Sequence, residues 1–128
     1  PLFAMLPKAY RLSDHEDIHR VFRLGKKAYG SLFSFVSLAN SLEKSRFAIV
    51  VSKKTAPRAV DRNRVKRLVR EAIRLHLSAL DPGYDVVVVP LKKIPGKLEL
   101  STVSSDIDAL LHRTQLVTRQ SEHTQHDT

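Results

Sequence analysis

The 128-residue sequence has no cysteine and no tryptophan. Without cysteine there is no disulfide framework, no thiolate metal site and no cysteine nucleophile, and a reducing compartment is the natural setting. Glycine is scarce, at four residues, and none of it gathers into a Gly-rich phosphate loop. Acidic residues are outnumbered 22 to 13 by lysine and arginine, and they form no carboxylate cluster of the kind that holds catalytic metal ions. No apolar run approaches the roughly 20 residues of a membrane span. The opening segment from Pro1 to Pro7 lacks a basic stretch followed by an apolar one, so no secretory signal is expected. The expected location is the cytoplasm, with Pro1 following a removed initiator Met and Met5 as an alternative start.

What the chain does have is concentrated positive charge. Between Lys53 and Arg74 stand nine cations (Lys53, Lys54, Arg58, Arg62, Arg64, Lys66, Arg67, Arg70 and Arg74) against Asp61 and Glu71, so nine minus two leaves seven of the chain's net +9 in this one segment. A field focused in this way attracts polyanions. At about 100° per residue from Arg62, the residues Val65, Leu68, Val69, Ala72, Leu75 and Ala79 share a sector of roughly 220° to 340°, while Arg62, Lys66, Arg70, Arg74 and Arg67 span roughly 0° to 140°. Ile73 and Leu77 fall on the basic side and break the pattern. Pro57 suits a first helical turn with Thr55 as cap, and Asp81-Pro82-Gly83 is a stop signal, which predicts a helix of about 24 residues, roughly 36 Å long. A solvated face is the usual fate of surface Lys and Arg. Solvated faces mix signs, however, whereas like charges recur here at 62, 66, 70 and 74, a spacing that destabilises an isolated helix unless a polyanion neutralises it.

Elsewhere the pattern predicts a first helix opened by Ser13 as cap, with Glu16 completing a capping box and Gly25 ending it. Lys26 to Tyr29 reads as a short strand, Leu32 to Leu38 as a strand with one buried face, and Asn40 to Ser45 as a polar turn. Arg46 to Ser52 reads as a central strand covered on both sides. Tyr84 to Val89 is a second β-branched run, closed by Pro90, and strand, long helix, strand implies parallel pairing. Leu98 to Leu116 predicts a third helix capped by Ser101 or Ser104. The fold class is α/β with α+β character: one polyanion-binding domain over 1–117 on a small mixed sheet of about four strands with three helices, then a polar tail over 118–128 expected to be disordered.

Catalytic signals are mostly negative. His15 and His19 stand at i, i+4 with no third ligand evident, and His123 and His126 lie in the tail. Asp81 and Asp85 could be imagined as a carboxylate pair for Mg²⁺, but they flank a Pro-Gly turn and read as turn chemistry. There is no nucleophile elbow. The chain reads as a binder that brings few catalytic groups of its own.

Val51-Ser52-Lys53-Lys54, followed after a short loop by Ala59-Val60-Asp61-Arg62-Asn63-Arg64-Val65-Lys66-Arg67-Leu68-Val69-Arg70-Glu71-Ala72, resembles the signature of the bacterial ribonuclease P protein subunit. The match extends from about Pro7 to Leu116, taking in Arg11-Leu12, Phe22, Arg46 and the Asp85–Val89 strand. The resemblance implies a protein that joins a large catalytic RNA to remove the 5′ leader from precursor tRNA. In that family the RNA supplies the active site and coordinates Mg²⁺, and no cofactor is held by the protein. It implies RNA contacts from Lys53, Lys54, Arg58, Arg62, Asn63, Arg64, Lys66, Arg67, Arg70 and Arg74. It also implies a leader cleft between the sheet and the first helix, formed by Arg11, Ile18, Phe22, Phe33, Phe35 and Val36. The partners it implies are ribonuclease P RNA and precursor tRNA, with no membrane and no DNA, and it makes the strand-helix-strand crossover left-handed.

Arginine fits phosphate bidentately, and apolar or aromatic walls let unstacked bases rest without strict sequence reading. Ile18 stands where the family commonly has Phe, and Val36 where some members have Tyr, so apolar contact would replace stacking there. For Phe22, Phe33 and Phe35 core packing is favoured over a cleft role, with Phe22 the best cleft candidate. The rival classes are a ribosomal or other structural RNA-binding protein, a DNA-binding regulator and a self-sufficient nuclease. The long helix is flanked by strands and not paired in a helix-turn-helix, and the carboxylates a nuclease needs are missing.

Overall fold

The computed structural model describes residues 6–94 and 97–117. The expectations for Pro1, Met5, His123, His126 and the 118–128 tail lie outside the described residues. Three helices and four strands follow in the order α1 (His15–Leu24), β1 (Lys26–Tyr29), β2 (Phe33–Ala39), β3 (Arg46–Ile49), α2 (Ala59–Arg74), β4 (Tyr84–Pro90) and α3 (Leu100–Arg113). The strands form one mixed sheet in the order β1-β2-β4-β3, antiparallel except for the parallel β3–β4 pair that α2 connects.

Both faces of the sheet are covered. Phe33, Phe35, Phe47, Ile49, Val86 and Val88 face a core shared with Val65, Val69, Ala72 and Ile73 of α2 and with Val103, Ile107, Leu110 and Leu111 of α3. Val36, Ala48 and Val87 face the other way, against Leu12, Val21 and Ile18 at α1. β2 is therefore buried on both faces over Phe33–Val36, which corrects the expectation of one buried face: its alternation separates two cores, not core from water. β3 is equally well covered but stands at the edge of the sheet, where a central strand was expected. A continuous apolar run reports covered faces and says nothing of how many strands lie alongside. The outer side of β3 is shielded by the lead-in chain, where Leu12 N–H donates to Phe47 O at 2.8 Å.

Helix limits also differ from expectation. α1 is capped by Asp14, whose side chain accepts from Glu16 N–H at 2.8 Å, and not by Ser13. Gly25 ends it as expected, but with φ −78° and so outside the left-handed region. A Cβ at Gly25 would meet Val21 O at 2.6 Å and Ser37 O at 2.8 Å, so close backbone approach is what requires glycine. α2 has 16 residues, about 24 Å, because the chain over Ser52–Arg58 forms its own turns: Thr55 and Ala56 N–H both donate to Ser52 O, which leaves Thr55 and Pro57 ahead of the helix. Beyond Arg74 the winding tightens, with His76 N–H reaching Ile73 O, and a 3₁₀ turn covers Leu77–Ala79. α3 starts after Glu99, and neither Ser101 nor Ser104 caps it.

Two polar devices lock these layers. The Asp106 carboxylate of α3, nearly buried, accepts from the N–H groups of Ser31, Leu32 and Phe33 at 2.7, 3.0 and 2.9 Å, which fixes the β1–β2 turn. Arg46 grips Asp85 through two bonds of 2.8 and 2.7 Å and reaches Asp17 of α1 at 3.5 Å, while Asn40 donates to Asp85 at 2.7 Å. Asp85 therefore serves as an ion-pair partner, and it holds the Arg46 guanidinium pKa above its ordinary value against the opposing effect of desolvation.

Candidate nucleic-acid interface

The buried stripe of α2 consists of Val65, Val69, Ala72 and Ile73. Ile73 is fully buried and Leu75 is 53% exposed, the reverse of the wheel expectation. The helix is rolled by roughly half a residue step, because α3 packs beside it and draws Ile73 inward. The opposite side carries the cations, but not on equal terms. Arg58 pairs with Asp61 at 2.8 Å and Arg74 with Glu71 at 2.6 Å, both at i, i+3. These hydrogen bonds are the first cause of the raised pKa of each arginine, and the Arg74 bond holds the Glu71 carboxyl below its usual range. Arg62 donates to Ala56 O at 3.0 Å and to Pro57 O at 2.8 Å, so it fastens the loop that leads into α2.

Arg64, Lys66 and Arg67, with Lys53 and Lys54 in the preceding loop, have no acidic partner among the described residues, and Asn63 is exposed beside them. Arg70 is half-buried, and its pKa is lowered first by desolvation and then by the nearby charge of Arg11. Two cations held close together with no acid between them make a place where an anion would be stabilised. The ten cationic and polar positions predicted on this segment thus divide into free groups, internally paired groups and one loop fastener. Charge count alone cannot reveal that division.

The second site expected from sequence is a cleft on the α1 face. Phe33 and Phe35 do not belong to it: both have 0% exposure, in the core beneath α2 and α3. In β2 their odd-numbered positions point away from α1. Val36 does face α1 but is 98% covered at the floor of that packing. Ile18 is partly buried there, and Phe22, one turn on, is 40% exposed. Arg11 is half-buried, with its Nε donating to Leu6 O at 2.7 Å. The register adds residues that sequence reading missed. Tyr29 lies opposite Ser34 and Ser34 opposite Val89, while Val50 continues β3 with its N–H on Val88 O at 3.0 Å. That row shares the α1 face with Val36 and Val87, and Tyr29 at its end is 56% exposed. Period-two alternation marks these residues, but which strands lie side by side was needed to join them into a row.

Among the described residues no group of three or more His, Asp or Glu is placed to hold a metal ion, and no helix is long and apolar enough to cross a membrane. His76, just past the end of α2, approaches Asp108 of α3 at 2.8 Å and ties the two helices together, while His112 approaches the same carboxylate at 3.3 Å from one turn further along α3.

Comparison with known proteins gives a consistent result. A family model described as Ribonuclease P matches residues 6–115. The "Ribonuclease P protein component" of Finegoldia magna is 40% identical over 107 residues, 84% of this chain and 89% of the relative. That of Fusobacterium nucleatum is 30% identical over 109 residues, covering 83% and 97%. Among solved structures, the RNase P protein from Thermotoga maritima is 33% identical with a TM-score of 0.73, covering 80% of this chain and 96% of that one. A Staphylococcus aureus RNase P protein structure is 25% identical with a TM-score of 0.75, covering 87% and 100%.

Proposed function

This chain belongs to the ribonuclease P protein family, and from that membership we propose how its surfaces divide the work of the ribonucleoprotein. The chain is a ribonuclease P protein component, and its partner is ribonuclease P RNA. The α2 face and the Lys53–Lys54 loop dock on that RNA. The row on the α1 face, together with the exposed Phe22 of α1 on that side of the sheet, takes the single-stranded 5′ leader of precursor tRNA. Catalysis belongs to the RNA, with Mg²⁺ bound in the RNA active site, and the protein contributes affinity and positioning in the cytoplasm.

The observation that carries this reading is the run of cations without acidic partners at Lys53, Lys54, Arg64, Lys66 and Arg67, on a helix whose other side is anchored in the core. A guanidinium or ammonium already committed to a carboxylate would have to surrender that pair to bind phosphate, and these five have none to surrender. The Tyr29 ring and the Val89 and Val50 side chains of that row suit a leader of varied sequence, because contact with base faces is sequence-tolerant. A DNA-reading helix-turn-helix is absent among the described elements, whose long helix lies between parallel strands.

The test is a salt titration of binding to ribonuclease P RNA. Replacing Lys54, Lys66 and Arg67 with Ala should weaken binding and lower the log–log salt slope by about 2 to 3, at about 0.7 to 0.9 per lost phosphate contact. An unchanged slope would remove this face from the RNA.

A further inference from the structure

A cavity of about 150 Å³ lies at the foot of α2. Its apolar wall comes from Ala56, Val65 and Ile94, and its polar rim from Asp61, Arg64 and Lys93. Three stretches of chain build it, the turn before α2, the first turns of α2 and the segment after β4, and the first and last are joined by a hydrogen bond from Ile94 N–H to Thr55 O at 3.3 Å. Ala56 and Val65 are buried members of the main core, so the wall is anchored.

The two halves of this cavity ask for different chemistry. Arg64 and Lys93 have no acidic partner among the described residues, while the Asp61 carboxylate is already held by Arg58 at 2.8 Å. The rim therefore keeps two unneutralised cations that suit a phosphate. A phosphate gains nothing from an apolar wall, but a flat ring does, and about 150 Å³ is the size of a cavity that admits one benzene-like ring. Drug-sized or dinucleotide ligands need roughly twice that volume or more. Arg64 also belongs to the cationic face of α2, so a strand following that face would pass the cavity mouth.

We propose that this cavity seats one unstacked nucleobase of the partner RNA, with the adjoining phosphate on Arg64 and Lys93. The ring lies on Ile94 and Val65, and the Asp61 carboxylate faces the N–H edge of the base. This rests on the RNA-docking role of the α2 face and adds to it a single-nucleotide anchor that charge alone would not supply.

The full chain, with methyl groups labelled for NMR, is titrated with cytidine 5′-monophosphate, whose base is a single ring, and, separately, with inorganic phosphate. The Ile94 and Val65 methyl resonances should shift and saturate with the nucleotide and stay in place with phosphate. Absence of a shift with the nucleotide, or an equal shift with phosphate, overturns the proposal. In complexes with ribonuclease P RNA, Ile94→Ala should weaken affinity about 10-fold, within the range of one lost base contact, and leave the salt slope unchanged. Full affinity in Ile94→Ala, while the Lys54, Lys66 and Arg67 replacement still weakens binding, defeats the base seat alone. Loss of neither defeats the docking face itself.

Discussion

At the scale of single residues, similar side chains in one basic segment have different duties. Arg62 holds two backbone carbonyls ahead of α2. Arg62→Ala should therefore cost about 1 to 2 kcal/mol of folding stability in a denaturant titration, whereas Arg67→Ala, an exposed residue without a partner, should cost little stability and much RNA affinity. Glu71 gives a pH signature. Its folded pKa lies below the ordinary carboxylate value because Arg74 bonds the charged form, so its contribution is complete above the unfolded value of about 4.3 and disappears as pH falls through the folded one. Glu71→Gln should be less stable than the parent by about 0.3 to 0.5 kcal/mol at neutral pH, and the difference should vanish in acid. Thermal unfolding at several pH values checks this, and a difference that grows toward low pH would contradict the pairing.

At the scale of elements, the β1–β2 turn depends on a residue more than 70 positions away. Asp106 accepts three backbone N–H groups there, and a Cβ at Gly30 would meet its oxygens at 2.7 and 2.9 Å. Asp106→Ala would leave the buried Phe33 donor and the partly buried Leu32 donor unsatisfied, while the N–H of exposed Ser31 could turn to water, and we expect a loss of about 2 kcal/mol, seen as a lower urea midpoint with the slope of the transition unchanged. Cross-chain capping of this kind cannot be found in a local pattern, which is why the third helix was read from its apolar spacing while Asp106 went unnoticed. The same limit explains the α2 ends. Apolar periodicity continues past Arg74 into Leu77 and Ala79, but carbonyls there are satisfied by tighter turns, and Ser52 captures the amides that would have opened the helix earlier.

At the scale of the whole molecule, the sequence disclosed the three helices, the four strands, the parallel β3–β4 pair and the basic side of α2. Each follows from a periodicity or a turn signal lying within one element. It did not disclose that β3 is an edge strand, that Phe33 and Phe35 face the α2–α3 core and not α1, or that Arg58 and Arg74 are internally paired, because these depend on which elements meet. The division that emerges is a sheet with two covers. One side anchors the cationic helix, and the other carries α1 and a row running from exposed Tyr29 through buried Ser34 to the partly buried Val89 and Val50. Phe22→Ala, which removes the exposed ring of α1 on that side of the sheet, should weaken binding of precursor tRNA with a leader and leave binding of leaderless tRNA unchanged. Equal losses for both would place Phe22 outside the leader path. The most direct test of the division of labour is cleavage of precursor tRNA at low Mg²⁺ by the protein alone, by ribonuclease P RNA alone and by the two together. The account predicts leader removal that the protein strongly stimulates and no cleavage by the protein by itself; cutting by the protein unaided, or an RNA indifferent to its presence, would contradict it.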